Sequence, residues 1–211
     1  MAPPRPGMRF AAAETMPIAP VSPGPSSGAS TGPSAGPEAL SFTLPLLAGA
    51  AASALSSVAL VVCGHLDGRS AAAPTNATAQ WLWGRRALLK TAVSARYTVV
   101  GYLVHHAMST LWAVIHCRMH PRRATPRPLV RTLTEAAGTA ALAYVVDYTV
   151  TPQRLRPGFE HHLSGRSMLA VYAAFALGLA VAMRAMEARE GARGEASGRT
   201  PAQAPARSDA P

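Results

Sequence analysis

Apolar and polar positions along the chain fall into long blocks, not into the alternation of a half-buried strand. Phe42 to Gly64 holds no charged side chain. At roughly 1.5 Å per residue, a helix of this length crosses a hydrocarbon core of about 30 Å. Three further blocks, about 96–116, 129–151 and 167–186, read as further spans. In the first block Ala48, Ala52 and Ser56 recur every fourth position, as do Gly49 and Ser53. Ala174, Gly178 and Ala182 repeat that spacing in the fourth. Small residues so placed let helix backbones approach closely in lipid. Pro128 suits the start of the third span. Pro152 ends it, because the residue before a proline is pushed out of the helical region. Ser164 is placed to cap the fourth.

The links differ in character. Asp67, Gly68, Arg69 and Pro74 read as loop. Trp81 and Trp83, followed by Arg85, Arg86 and Lys90, suit a membrane–water boundary. They predict a short helix lying at the interface over about 76–93. Asn76-Ala77-Thr78 matches a glycosylation acceptor, a triplet too common to carry weight. Residues 1–38 are rich in Pro, Gly and Ser, bury too little to offset chain entropy, and are expected to be disordered. No apolar core follows Arg5 or Arg9, as a signal peptide would need. The polar stretch 188–211 is expected to be a second loose tail. The expected fold is therefore all-α: a polytopic membrane domain over 39–187, with four transmembrane helices and a short interfacial helix between disordered tails. A soluble bundle would need a polar face on each helix, and the first and fourth blocks offer almost none.

Composition sharpens this picture. Charged residues make up 14% of the 211, against about 25% in a soluble domain. The net charge is +10, from 20 basic and 10 acidic residues. The basic residues flank the apolar blocks, which points to anionic lipid headgroups. Nucleic acid is disfavoured, because no folded basic module is visible. Four spans put both termini on the side of Arg118, Arg122, Arg123 and Arg127. Positive-inside reasoning places that side in the cytoplasm, although Arg69, Arg85, Arg86, Lys90 and Arg96 weigh against it. Cys63 and Cys117 then lie on opposite membrane faces, too far apart for a disulfide within one chain.

Ionisable groups inside a span cost about 2.5–3.5 kcal/mol each on insertion scales and usually face the bundle interior. That makes His105, His106, Glu135 and Asp147 the candidate functional cluster. Gly101, His105, Ser109, Trp112 and His116 fall near one helical face, with His106 turned about 100° away. The histidines read either as haem or metal ligands or a proton relay, or as groups hydrogen-bonded to a neighbouring helix. Glu135 pairs either with Arg131, four residues earlier, or with His105 or His106. Asp147 is expected to accept hydrogen bonds from Arg154 or Arg156. The following link is unusually specific, and Arg154, Pro157, Gly158, Phe159 and Glu160 form a candidate surface-loop motif, with His161 and His162 beside it. No phosphate-cradling Gly loop, nucleophile elbow or metal-binding helix motif occurs. Hence no catalytic residue, cofactor or metal is assigned.

The stretch from Asp147 to Ser164, the His105-His106 pair and the Trp81–Trp83 segment together resemble a group of uncharacterised bacterial four-span inner-membrane proteins. The resemblance covers about two thirds of the chain, excludes both tails, and implies the same architecture and setting. It brings no activity. The leading functional expectation is a non-enzymatic scaffold or accessory subunit, whose partners are the lipid bilayer, a second copy or another membrane protein. The alternatives are a haem-, metal- or proton-handling protein using the intramembrane polar groups, and a small oligomeric transporter.

Overall fold

The computed structural model describes residues 40–121 and 126–198. The expected 1–38 tail, the end of the 188–211 tail, and Arg122 and Arg123 lie outside these residues. Among the described residues all regular structure is helical. In chain order it comprises α1 (Leu40–Leu66), the short α2 (Ala73–Thr78) and α3 (Gln80–Trp83), α4 (Val100–Met119), α5 (Leu129–Val145) and α6 (Gly165–Gly198). A π turn over Ala95–Val99 leads into α4, and another over Val146–Val150 prolongs α5. Three helical stretches, Phe42–Leu66, Ala95–Met119 and Gly165–Gly194, are long and apolar enough to cross a membrane. α5, with Arg131, Glu135 and several threonines, falls outside that set.

The four long helices run alternately up and down, as cross-helix contacts show. Ser56 of α1 meets His105 of α4, and Gly49 of α1 packs on Thr110. His116 of α4 bonds to Thr139 of α5. Asp147, just past α5, bonds to Tyr172 of α6. Asp67, just past α1, bonds to Ser164 at the start of α6. The small-residue faces fill the centre: Ala48 and Ala52 are fully buried, and Gly178 of α6 lies against the backbone of Ala51 and Ala52. Trp112, Phe175 and Leu179 complete that core. A second cluster, with Leu60, Phe159, Leu163 and Met168, sits at the end where α1 finishes and α6 begins.

Two expectations change. The stretch 76–93 is not one interfacial helix. It is divided among α2, α3 and a 3₁₀ turn over Gly84–Leu89, and every residue of α2 is buried. The residues of α2 are small, so it fits inside, where the missing side chain of Gly101 admits it. A Cβ there would stand 2.0 Å from the Thr75 carbonyl oxygen. Asn76 fixes the segment: its amide donates to Lys90 O (2.9 Å) and Ala92 O (3.0 Å), and its Oδ1 accepts from Thr98 (2.6 Å). An asparagine so enclosed is no surface glycosylation acceptor. Trp83 does meet a basic group, with the Arg96 guanidinium 4.4 Å above its ring. The other change is that α6 runs to Gly198, well past Met186. Its sequence there is rich in Ala, Glu and Arg, all good helix formers, with no proline before Pro201.

The start of α6 carries a pH-dependent cap. Ser167 N–H donates to Ser164 Oγ (3.3 Å), the capping expected from sequence, and Asp67 Oδ2 accepts from Ser164 N–H (2.7 Å). The Ser164 backbone N–H holds the Asp67 carboxyl below the ordinary aspartate value of 3.8, as befits an anion at a helix N-terminus. A lowered folded value contributes stability above the unfolded one and loses it as pH falls through the folded one. Asp67→Ala should therefore lower Tm at pH 7, and melting curves should converge with those of the parent as pH drops below 3.8.

Candidate functional site

A pocket of about 60 Å³ lies among α1, α4, α5 and α6. A partial roof comes from two links that lock together. Gln80 Nε2 donates to Arg156 O (2.7 Å) and Trp81 Nε1 to Leu155 O (2.8 Å). Gly158, at φ +87°, is held against Ala77 O and the Gln80 amide, where a Cβ would stand under 3 Å from both. That turn lets Phe159 plunge inward to 3% exposure. Trp81, Pro157 and Phe159 thereby cover the opening while Ser56, His105, Trp112 and Tyr172 line the depth.

His105 and Asp147 share this pocket. His105 Nε2 lies 2.8 Å from Ser56 Oγ, and Ser56 Oγ donates to Ala52 O at 2.7 Å. With the serine proton on the Ala52 carbonyl His105 donates through Nε2, and with that proton directed at His105 its Nε2 accepts. Asp147 Oδ2 accepts from Tyr172 O–H at 2.7 Å. Tyr172 in turn stands edge-on to Tyr144, with centroids 5.3 Å apart. Two further polar groups complete the lining. Trp112 Nε1 and Thr78 Oγ1 are buried with no hydrogen-bond partner. A buried donor left unpaired costs about 1–3 kcal/mol, and both of these belong to residues that line the pocket. About 10–15 Å³ of such space holds one water, and the pocket therefore takes about four water-sized groups.

The expected cluster does not assemble as one site. His106 points away from the pocket, stacks on Tyr102 at 5.9 Å, and leaves Nδ1 unpartnered. Glu135 sits at the opposite end of the bundle. It meets neither His105 nor His106 but Arg131 (2.8 Å), Arg127 (3.5 Å) and His120 (3.7 Å). The Arg131 pair is the i,i+4 contact expected from sequence. Asp147 bonds to Tyr172 rather than to Arg154 or Arg156, and Arg156 Nε donates to Thr151 O instead. In the loop motif, Gly158 and Phe159 build the roof and Glu160 accepts from Tyr148 O–H (3.3 Å). Arg154 is exposed on the rim of an outer groove beside Arg85 and His161. Burial holds the His162 imidazole below its ordinary range, and its Nε2 has no partner.

Ser56 and His105 have the spacing of a nucleophile and its base, while Asp147 bonds to Tyr172 and not to a histidine. Among the described residues, no three His, Cys, Asp or Glu side chains converge to hold a metal. A cavity of about 150 Å³ is needed for a benzene-sized guest, so this pocket of about 60 Å³ is too small for a haem. Sequence reasoning missed Ser56, Thr78 and Tyr172 as lining groups. Ser109 and Trp112 carried a signal, their position on the His105 face, as did Pro157 and Phe159 in the loop motif. No family model matches the chain, and no curated protein or solved structure is similar to it.

Proposed function

We propose that this is a four-span membrane protein of the bacterial inner membrane, both termini cytoplasmic, that takes a small polar solute into the pocket between its helices without making or breaking bonds. The observation that carries this reading is the pair of buried, unpartnered donors, Trp112 Nε1 and Thr78 Oγ1, in a pocket shared with His105 and Asp147. α5 counts as a span because its outer surface is apolar: Leu129, Val130, Leu133, Leu142, Val145 and Val150 are all exposed. Such a face suits lipid. The alternating direction of the helices supports common-side termini. The scaffold reading drew on the small-residue faces of α1 and α6, and those faces are already covered by each other.

The test is thermal unfolding of the full chain in detergent against small cationic, neutral and anionic solutes. A solute at ten times its Kd stabilises by about 1.4 kcal/mol, a Tm rise of roughly 3–5 °C for a chain of this size. Ser109 lines the pocket and is 3% exposed. Ser109→Met should fill the space, keep the fold and abolish the response. A panel in which no solute shifts Tm, or a response that survives Ser109→Met, sinks the reading.

A further inference from the structure

The pocket wall is chemically one-sided. Among the described residues no Arg or Lys lines it, and Asp147 is its only carboxylate. Glu135 and Glu187 each have an arginine within 4 Å. Asp147 has only the Tyr172 hydroxyl, and no cation pairs with it among the described residues. A half-buried carboxylate in an aromatic-lined pocket is stabilised by a counter-charge, and among the described residues no metal-ligand group converges on it. Around it stand five aromatic side chains, Trp81, Trp112, Phe159, Tyr172 and Phe175. Aromatic faces attract ammonium groups within about 6 Å of their centroids, and Trp does so most strongly. Charge and rings thus ask for the same guest. The unpartnered Trp112 N–H and Thr78 O–H ask for something more, an acceptor atom on that guest.

Resting on the solute-binding reading above, we infer that the pocket is a site for a small organic ammonium ion bearing an acceptor oxygen, an amino alcohol of about four heavy atoms by the space available. The ammonium pairs with Asp147 between the rings, and the oxygen accepts from Trp112 or Thr78. Larger ring-bearing amines are excluded by size, and guests whose only charge is a carboxylate or phosphate by the charge of Asp147. The same chemistry is offered by a free amino alcohol and by the headgroup of an ethanolamine lipid.

Calorimetric titration of the full chain in detergent tests this with four probes: ethanolamine, propylamine, ethylene glycol and glycolate. Ethanolamine should bind at least tenfold more tightly than the neutral and anionic probes, and more tightly than propylamine. Asp147→Asn keeps an acceptor for Tyr172 and should weaken ethanolamine at least tenfold. Trp112→Phe should narrow the gap between ethanolamine and propylamine. Equal or tighter binding of ethylene glycol or glycolate to the unaltered protein overturns the ammonium assignment while leaving a solute pocket in place. So does an Asp147→Asn variant of native helicity that binds ethanolamine unchanged. Equal binding of propylamine and ethanolamine overturns the acceptor-oxygen assignment. Failure of all four probes, with the wider solute panel also silent, overturns both readings. Ethanolamine titration that persists in phosphatidylglycerol nanodiscs but vanishes in phosphatidylethanolamine nanodiscs identifies the lipid headgroup as the source, and persistence in both identifies the free solute.

Discussion

Gly178→Ala should cost the detergent-purified protein about 3 kcal/mol, the upper end of overpacking effects, or roughly 6–12 °C in Tm. The same substitution at Gly138 should be neutral or slightly stabilising. At Gly178 a new Cβ would stand 2.4 Å from Ala52 Cα and 2.7 Å from Ala51 O. Those atoms belong to the backbone of α1, so relief requires the two longest helices to move apart. At Gly138, in the middle of α5, a Cβ meets nothing within 4 Å. There the gain in helix propensity, about 1 kcal/mol, is all that remains. Both are Gly-to-Ala changes inside long helices, so their difference reports close helix approach and not local propensity. Equal melting temperatures for the two variants would mean that α1 and α6 do not pack through Ala52 and Gly178.

The contrast between those glycines was half legible in the sequence. The four-residue spacing of Ala48, Ala52 and Ser56, and of Ala174, Gly178 and Ala182, marked close-packing faces. It did not say whether the faces meet each other or a partner, because spacing fixes a face but not its neighbour. The buried face of α4 was legible for the same reason. Gly101, Ser109, Trp112 and His116 all lie inside, as a period of 3.6 residues requires. Pro128, Pro152 and Ser164 marked α5 and α6 correctly, since prolines and capping side chains act within a few residues.

What the sequence hid depends on rotation and depth. Helical rotation separated His105 from His106, but nothing local told that Asp147 would share the His105 pocket while Glu135 would not. Asp147 finds Tyr172 because α5 and α6 are turned toward each other there, a relation 25 residues apart in the chain. The burial of α2 was hidden too. Pro74 read as loop and Asn76 and Thr78 as the start of an interfacial helix, and the gap at Gly101 that admits them inside lies 25 residues beyond Asn76.

Arg127→Met should destabilise the protein by about 3 kcal/mol, the lower end for breaking a buried ion pair, yet leave the pocket's solute response intact. Arg127 is 7% exposed at the bundle end opposite the roof. Its Nη2 donates to His120 O (3.0 Å) and Pro121 O (2.5 Å), its Nε lies 3.5 Å from Glu135, and its Nη1 lies 3.9 Å from Glu187. Its own carbonyl accepts from Arg184 Nη1 at 2.9 Å. One side chain thus ties the α4–α5 link to α5 and to α6. Methionine keeps much of the packing but leaves two carbonyls without their donor and two carboxylates with one cation fewer. The loss stays at the lower end because Glu135 retains Arg131 and Glu187 retains Arg184. Added salt should change the loss little, because screening acts weakly on buried charges. Pairing Arg127→Met with Glu135→Gln in a double-mutant cycle should return a coupling well above the roughly 0.5 kcal/mol expected of independent sites. Near-zero coupling together with an unchanged Tm would show that Arg127 does not hold this end of the bundle as described. A solute response lost along with stability would show instead that pocket and network are one cooperative unit.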